Sequence, residues 1–198
     1  MSKLLHPLIL ASASPRRQEL LSAAGYGFTV IKPPVEEPAI PSQAQIPAAW
    51  AESLAYFKAR SVAQLHPHAL VIGADTIVCH DGQIIGKPAD LADARRILAR
   101  QFSGRNDVIT GLAVLLLERQ ERIITHVTTT LIMRPMTEIE LEEYLASGAW
   151  RGKAGAYALQ EGGDKFVLSA QGSESNVVGL PMEKLAEILG HFDNNPPI

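Results

Sequence analysis

The sequence lacks the features of several specialised protein classes. Its 198 residues include a single cysteine, Cys79, so no disulfide can form within the chain. No window approaches the roughly 20 consecutive apolar residues of a membrane-spanning helix. The first residues also lack the basic and apolar segments of a secretion signal. We therefore expect a cytoplasmic protein with no membrane partner.

An excess of charge of one sign is missing as well. The chain has 18 Lys and Arg against 21 Asp and Glu, for a formal net charge of -3, and its cations are scattered singly or in pairs. Binding along a nucleic-acid backbone requires many phosphates to be neutralised at once, so no polymeric nucleic acid is expected as a partner. One domain of this length buries roughly 70% of the surface that its unfolded chain exposes. We expect a single domain over residues 1–198.

Helical and strand patterns alternate along the first half of the chain. A short apolar run at residues 8–11 predicts a strand, and Ser14-Pro15 predicts a helix that begins with a serine N-cap and ends near Gly25. Later, two long apolar runs at residues 108–117 and 123–133 predict a hairpin. Further strands are predicted at residues 28–31, 70–78 and 83–86, with an Asp81-Gly82 turn, and further helices at residues 48–65, 92–102, 137–147 and 181–189. This order of elements predicts an α/β fold with a mixed β-sheet flanked by helices.

Two arginines in the first turn of a predicted helix are the strongest local signal. Arg16 and Arg17 follow the small and hydroxyl residues Ser12 and Ser14. Cations at a helix N-terminus oppose the helix dipole, but they suit a bound phosphate because arginine adds charge-assisted hydrogen bonds to those of the backbone N–H groups. A solvated arginine pair is the alternative, and the residues alone leave both interpretations open.

Asp75 interrupts an apolar strand. Burying an ionised carboxylate without partners is costly, so such a residue is either a structural cap or a functional group. Lys87 follows a short strand, and Lys58 interrupts the apolar spacing of its helix, although either lysine could simply be solvated. Glu37 lies in a proline-rich loop, which suits either a solvated charge or a metal ligand.

The sequence gives little support for covalent catalysis or for a dinucleotide cofactor. The glycine-rich segments at residues 153–163 and 172–181 permit close backbone approach but lack the Walker A and dinucleotide-binding patterns. Cys79 and the serines lack an adjacent catalytic base. A bound cation with an activated water fits the remaining residues better.

Five segments together resemble the Maf family, and their order spans nearly the whole chain. They are residues 11–21, 73–78, 86–88, 153–160 and 176–181. The resemblance implies an inosine triphosphatase-like (Maf/HAM-like) fold, bilobal with a central cleft. It also implies a nucleoside triphosphate pyrophosphatase, associated with septum formation, that releases a nucleoside monophosphate and pyrophosphate.

The resemblance also implies roles for individual residues. Phosphate contacts fall on Ser12, Arg16, Arg17, Lys58 and Lys87, and metal or water roles fall on Glu37 and Asp75. The implied cofactor is Mg²⁺ or Mn²⁺, and the implied catalytic set is Asp75, Glu37, Lys58 and Lys87. Relatives further imply assembly as a homodimer.

The substrate expectation rests on two of these segments. Residues 73–76 and 156–160 match the branch of the family that acts on dTTP and UTP, and Gln160 is the candidate for reading the pyrimidine base because its amide can both donate and accept. Asn106 and Asp107 stand where the family usually has a histidine-containing motif, and the residues after Gln160 also depart from the pattern. The alternatives are a pyrophosphatase for 7-methyl-GTP or another modified nucleotide, and a non-catalytic nucleotide-binding regulator of septum formation.

Overall fold

A computed structural model describes residues 5–35, 46–157 and 164–194. The strands are β1 (Leu8–Leu10), β2 (Thr29–Val30), β3 (Leu70–His80), β4 (Gln83–Ile85), β5 (Arg105–Leu116), β6 (Glu121–Met133) and β7 (Val167–Gln171). The helices are α1 (Pro15–Ala23), α2 (Pro47–Ala63), α3 (Leu91–Gln101), α4 (Glu138–Ser147), α5 (Glu174–Val178) and α6 (Met182–Asn194). Within these ranges, no helix combines the length and apolar character needed to cross a membrane.

All seven strands form one mixed sheet. Its order is β2-β1-β3-β5-β6-β7, and β4 pairs with the far end of β3. The pairs β1–β2 and β1–β3 are parallel, whereas every other pair is antiparallel. Apolar clusters cover both faces of the β3–β5 region, one packed by α1 and α6 and the other by α2. The prediction of a mixed sheet flanked by helices is confirmed.

Local signals in the sequence correspond to observed turns and caps. Asp81 and Gly82 have positive φ angles of 49° and 72° and join β3 to β4, as the two-residue hairpin signal predicts. Thr137 is the N-cap of α4, the helix predicted at residues 137–147, and forms a capping box with Glu140. The prediction for Ser14 is wrong in one respect: it stands at the N-cap of α1, but its side chain makes no cap hydrogen bond. Its own backbone N–H donates to Ser12 Oγ instead (3.2 Å).

The apolar core has a separate cluster at the far end of the long strands. There α3 and α4 pack with β3, β5 and β6 around aromatic side chains. Phe102 is central, with ring centroids 4.9 Å from Tyr157 and 5.3 Å from Phe166 in edge-to-face geometry. Other apolar clusters include Ala74 and Ile77, so apolar packing also continues along the middle of β3.

Candidate functional site

The middle of β3 borders a gap in the sheet. β1 pairs with β3 as far as Ile72, and β4 pairs with it from Val78, both on the side opposite β5. Among the described residues, no strand pairs with the intervening stretch on that side. Six residue steps separate Ile72 from Val78, which is about 20 Å at a rise of roughly 3.3 Å per residue. Asp75 lies at the centre of this gap.

The hydrogen bonds beside the gap define its lining. The Leu70 N–H donates to the Pro7 carbonyl (2.9 Å), and the Ile72 carbonyl accepts from the Ala11 N–H (2.8 Å). Backbone groups of alternate residues point to the same side of a strand. Ala74 and Thr76 therefore direct their backbone N–H and C=O groups into the gap. The gap offers both donors and acceptors from rigid backbone.

Asp75 and Lys58 form a buried ion pair on the α2 face of the sheet. Lys58 Nζ lies 2.5 Å from Asp75 Oδ1, and their side chains are only 13% and 10% exposed. Asp75 shares its face with Gly73 and stands directly opposite Gly111. A Cβ at either glycine would lie 2.2 Å from backbone oxygens of α2. The missing side chains let α2 contact the sheet closely, and this contact brings Lys58 to Asp75.

Arg17 occupies the opposite face of β3. Its Nη1 donates to Ser12 Oγ (3.2 Å), its Nη2 to Thr76 Oγ1 (3.1 Å) and its Nε to the Gly179 carbonyl (2.7 Å). These three bonds tie the end of β1, the middle of β3 and the connection between α5 and α6 to one guanidinium. Gly179 adopts a φ of 124°, a backbone conformation that residues with a side chain rarely adopt.

The predicted site residues thus fall into two contacting pairs and four others. Ser12 contacts Arg17 on one face, and Lys58 contacts Asp75 on the other. Arg16 is half-buried in the first turn of α1. Lys87 is exposed and lies two residues after Ile85, whose partner Val78 borders the gap. Glu37 and Gln160 lie outside the described residues.

Asn106, at the position where the family usually has a histidine-containing motif, is buried. It is 1% exposed and lies directly opposite His80 in the β3–β5 ladder. Its Oδ1 lies 3.2 Å from His80 Nδ1, and its Nδ2 donates to the Gln101 carbonyl (2.7 Å). A histidine is therefore still present at this level of the sheet, on the neighbouring strand. The departure is accommodated by a satisfied internal hydrogen bond.

Thr110, which was not predicted from the sequence, extends the Arg17 group into the core. Thr110 is fully buried in β5, and its Oγ1 lies 2.9 Å from Thr76 Oγ1. The signal that singles out Asp75, a polar residue within an apolar strand, is also present at Thr110. This signal is weaker than that of Asp75 because threonine is common in strands and carries no charge.

The site contains no activated thiol. Burial, reinforced by the nearby Asp107 carboxylate, raises the pKa of Cys79 to about 11. A thiol with so high a pKa is a poor nucleophile at neutral pH. The expectation that Cys79 takes no part in covalent catalysis agrees with this environment.

One carboxylate among the described residues could contribute to a metal site. Over residues 5–35, 46–157 and 164–194, no group of three or more His, Cys, Asp or Glu side chains is arranged to hold an ion. Mg²⁺ commonly uses one or two protein carboxylates together with substrate phosphates and water. Asp75, a carboxylate beside a gap lined by backbone carbonyls, fits such a site.

Comparisons with known proteins agree in pointing to one family. The family model for Maf-like protein matches residues 7–192. A dTTP/UTP pyrophosphatase of Symbiobacterium thermophilum is 41% identical over 188 residues, which is 95% of each chain. The dTTP/UTP pyrophosphatase of Rhodopirellula baltica is 45% identical over 192 residues, which is 95% of this chain and 83% of the relative.

A solved structure shows a weaker similarity. It is a nucleoside-triphosphatase, or dITP/XTP pyrophosphatase, from Mycobacterium abscessus, and it covers 72% of this chain and 95% of its own with 15% identity and a TM-score of 0.43. Similarity at that level adds nothing about the fold or function of this chain.

Proposed function

This chain belongs to the Maf family, and from that premise we propose that it hydrolyses dTTP and UTP to the nucleoside monophosphate and pyrophosphate. The observation that carries the proposal is the buried Asp75–Lys58 pair beside a gap that is lined by backbone donors and flanked by Arg17. A carboxylate, a lysine and an arginine around one opening provide the charges that phosphoryl transfer requires.

Neutralising the substrate is the first task of the site. A nucleoside triphosphate carries about four negative charges at neutral pH, and a site must balance them while leaving one phosphorus open to in-line attack. Arg16 is in α1, which follows β1, and Lys87 follows β4; β1 and β4 are the two strands that border the gap. They are the cations proposed to hold the triphosphate, with Lys58 nearer the reacting phosphorus.

Asp75 is the proposed general base. A water attacks the α phosphorus, its proton passes to an Asp75 oxygen, the bond from the α phosphorus to the bridging oxygen breaks, and pyrophosphate leaves. The ion pair with Lys58 fixes the orientation of the carboxylate (2.5 Å). A carboxylate held in one orientation beside the gap can accept the proton of an attacking water.

Asp75 is also the proposed metal ligand among the described residues, and Glu37 is the second proposed ligand. A bound Mg²⁺ or Mn²⁺ would neutralise phosphate charge and lower the pKa of the attacking water. Asp75 is held on a rigid, buried strand, so its carboxylate keeps its position whether it faces the cation or the water. Gln160 is the proposed reader of the pyrimidine base.

Release of pyrophosphate tests this function directly. The wild-type chain with Mg²⁺ or Mn²⁺ should release pyrophosphate from dTTP and UTP faster than from the purine triphosphates and 7-methyl-GTP. Asp75→Asn should lose at least the ~10²-fold expected of a missing general base, while still binding nucleotide. The matched control is Asp81→Asn, the same chemical change at an exposed turn residue.

Each alternative has its own outcome in this assay. A wild-type chain that binds UTP but releases no pyrophosphate would be a nucleotide-binding regulator. A chain that prefers 7-methyl-GTP would belong to the other substrate class. An Asp75→Asn variant with more than about a tenth of wild-type turnover would remove Asp75 from the role of general base.

A further inference from the structure

A chain of hydroxyl groups leads from Arg17 into the core. Thr110 stands directly opposite Thr76 in the β3–β5 ladder, with 2.9 Å between their Oγ1 atoms. Thr110 Oγ1 also lies 3.0 Å from the backbone carbonyl of Asn176. Thr110 and Asn176 are both 0% exposed. Neither residue is placed to touch a substrate in the gap.

The direction of these hydrogen bonds follows from counting protons. A threonine hydroxyl has one proton to donate and two lone pairs to accept with. A carbonyl can only accept, so the proton of Thr110 is committed to Asn176. In the 2.9 Å contact Thr76 must therefore donate to Thr110. The lone pairs of Thr76 are left for Arg17, whose Nη2 can only donate (3.1 Å).

The far end of the chain is firmly anchored. Asn176 Nδ2 donates to the Val108 carbonyl and to Thr129 Oγ1, both at 3.0 Å. Its backbone N–H donates to Ser173 Oγ, the N-cap of α5 (3.2 Å). The carbonyl that accepts the hydrogen bond from Thr110 thus belongs to a residue held by three further hydrogen bonds.

We propose that Thr110 is a positioning residue that fixes the guanidinium plane of Arg17. Because the Thr76 hydroxyl donates its hydrogen bond to Thr110, only its lone pairs are available to Arg17 Nη2. The guanidinium is then held by Thr76, Gly179 and Ser12 together. Without the Thr110 hydroxyl, the Thr76 hydroxyl rotates freely and directs its proton toward Arg17 for part of the time. Arg17 and Ser12 then lose their fixed orientation at the gap.

The variants that test this differ by single groups. Thr110→Val replaces the hydroxyl with a methyl group of similar size, and Thr110→Ser keeps the hydroxyl. The control is Thr125→Val, the same change on β6 and on the same face of the sheet, at a side chain that makes no hydrogen bond within the described part of the chain. Thermal unfolding of all three variants shows how much of any effect is a loss of stability.

The first readout is independent of turnover. Nε of Arg17 donates to a carbonyl at 2.7 Å, so its proton should exchange slowly with water and give a distinct NMR signal. We expect exchange to become at least several-fold faster in Thr110→Val and to stay near the wild-type rate in Thr110→Ser and Thr125→Val. Equal exchange in Thr110→Val and the wild type would overturn the proposal.

The second readout rests on the proposed function. The value of kcat/KM for UTP should fall about 10- to 100-fold in Thr110→Val, the range for a lost hydrogen bond to a charged group, and should return toward the wild-type value in Thr110→Ser. In an Arg17→Lys background, which lacks the planar fork, Thr110→Val should cost much less. The positioning role would be overturned if Thr110→Val lowered kcat/KM by the same factor in the Arg17→Lys background as in the wild type. It would also be overturned if Thr110→Ser were as impaired as Thr110→Val. Failure of the proposed function can be told apart from failure of the positioning role. In the first case the wild type would release no pyrophosphate, but the exchange rate of the Arg17 Nε proton would still test the role of Thr110.

Discussion

Lys58→Met should destabilise the protein more than any surface charge deletion. The Lys58 and Asp75 side chains are 13% and 10% exposed and their charged atoms are 2.5 Å apart. Methionine keeps the length and most of the volume of lysine but removes the charge, so the Asp75 carboxylate stays buried without its cation. Removing one partner of a buried pair typically costs ~3 to 5 kcal/mol. For a protein of this size, that loss lowers Tm by on the order of 10 °C.

A second variant identifies the cause of that loss. In Lys58→Met/Asp75→Asn the buried group is a neutral amide, whose unsatisfied burial costs only ~1 to 3 kcal/mol. The double variant should therefore be more stable than Lys58→Met alone, although both should be inactive because each lacks part of the proposed catalytic pair. Urea unfolding at neutral pH measures the stabilities, and pyrophosphate release measures the activity.

Two results would refute this reasoning. If Lys58→Met melts within about 2 °C of the wild type, the carboxylate is not desolvated enough for its charge to matter. If the double variant is less stable than the single one, shape rather than charge dominates at this position. Either result would also weaken the assignment of Lys58 as the group that holds the Asp75 carboxylate in position.

Three further changes test other parts of the molecule. Gly111→Ala should lower the free energy of unfolding in urea because its Cβ would lie 2.2 Å from the backbone of α2. In the control Gly27→Ala the new Cβ meets no atom within 4 Å, so equal losses of stability in the two variants would contradict the close approach of α2. Arg134 holds the pKa of Glu140 at about 2, below its ordinary 4.5, so the stability linked to this carboxylate is complete above pH 4.5 and is lost as pH falls toward 2. Glu140→Gln should flatten that part of the stability profile, and a profile as steep as the wild type would refute the link. Gln160→Leu should lower kcat/KM for UTP and dTTP about 5- to 150-fold with little change for purine triphosphates, and equal losses for both classes would remove Gln160 from base recognition.

Local features of the fold could be predicted because short stretches of sequence determine them. The capping box of Thr137 and Glu140 needs two residues three positions apart, and the Asp81-Gly82 turn needs two residues that tolerate positive φ. The short helix α5 was not predicted. Five residues contain too little periodicity to indicate a helix, and α5 depends on Asn176, whose side chain bonds to groups on β5 and β6.

The pairing of Lys58 with Asp75 could not be predicted from either residue alone. Each stands out in its own element, but the contact depends on how closely α2 approaches the sheet. That distance is set by Gly73 and Gly111, which lie on two different strands and become neighbours of α2 only after β3 and β5 pair. No sequence pattern marks the two glycines as the surface on which α2 packs. The contact between Lys58 and Asp75 is therefore determined by the tertiary structure.

The gap in the sheet has a similar origin, and it explains why the proposed site lies in the middle of a strand. β1 has 3 residues and β3 has 11, so β1 covers only the first part of the β3 edge, and β4 returns to cover only its end. β5 pairs with β3 from Val71 to His80 on the other side, which keeps the uncovered stretch extended and rigid. Side chains alternate across a strand, so Asp75 and Thr76 carry the Lys58 and Arg17 groups to opposite faces of the same opening. A ligand bound in the gap, as proposed, would therefore lie between the two charged groups.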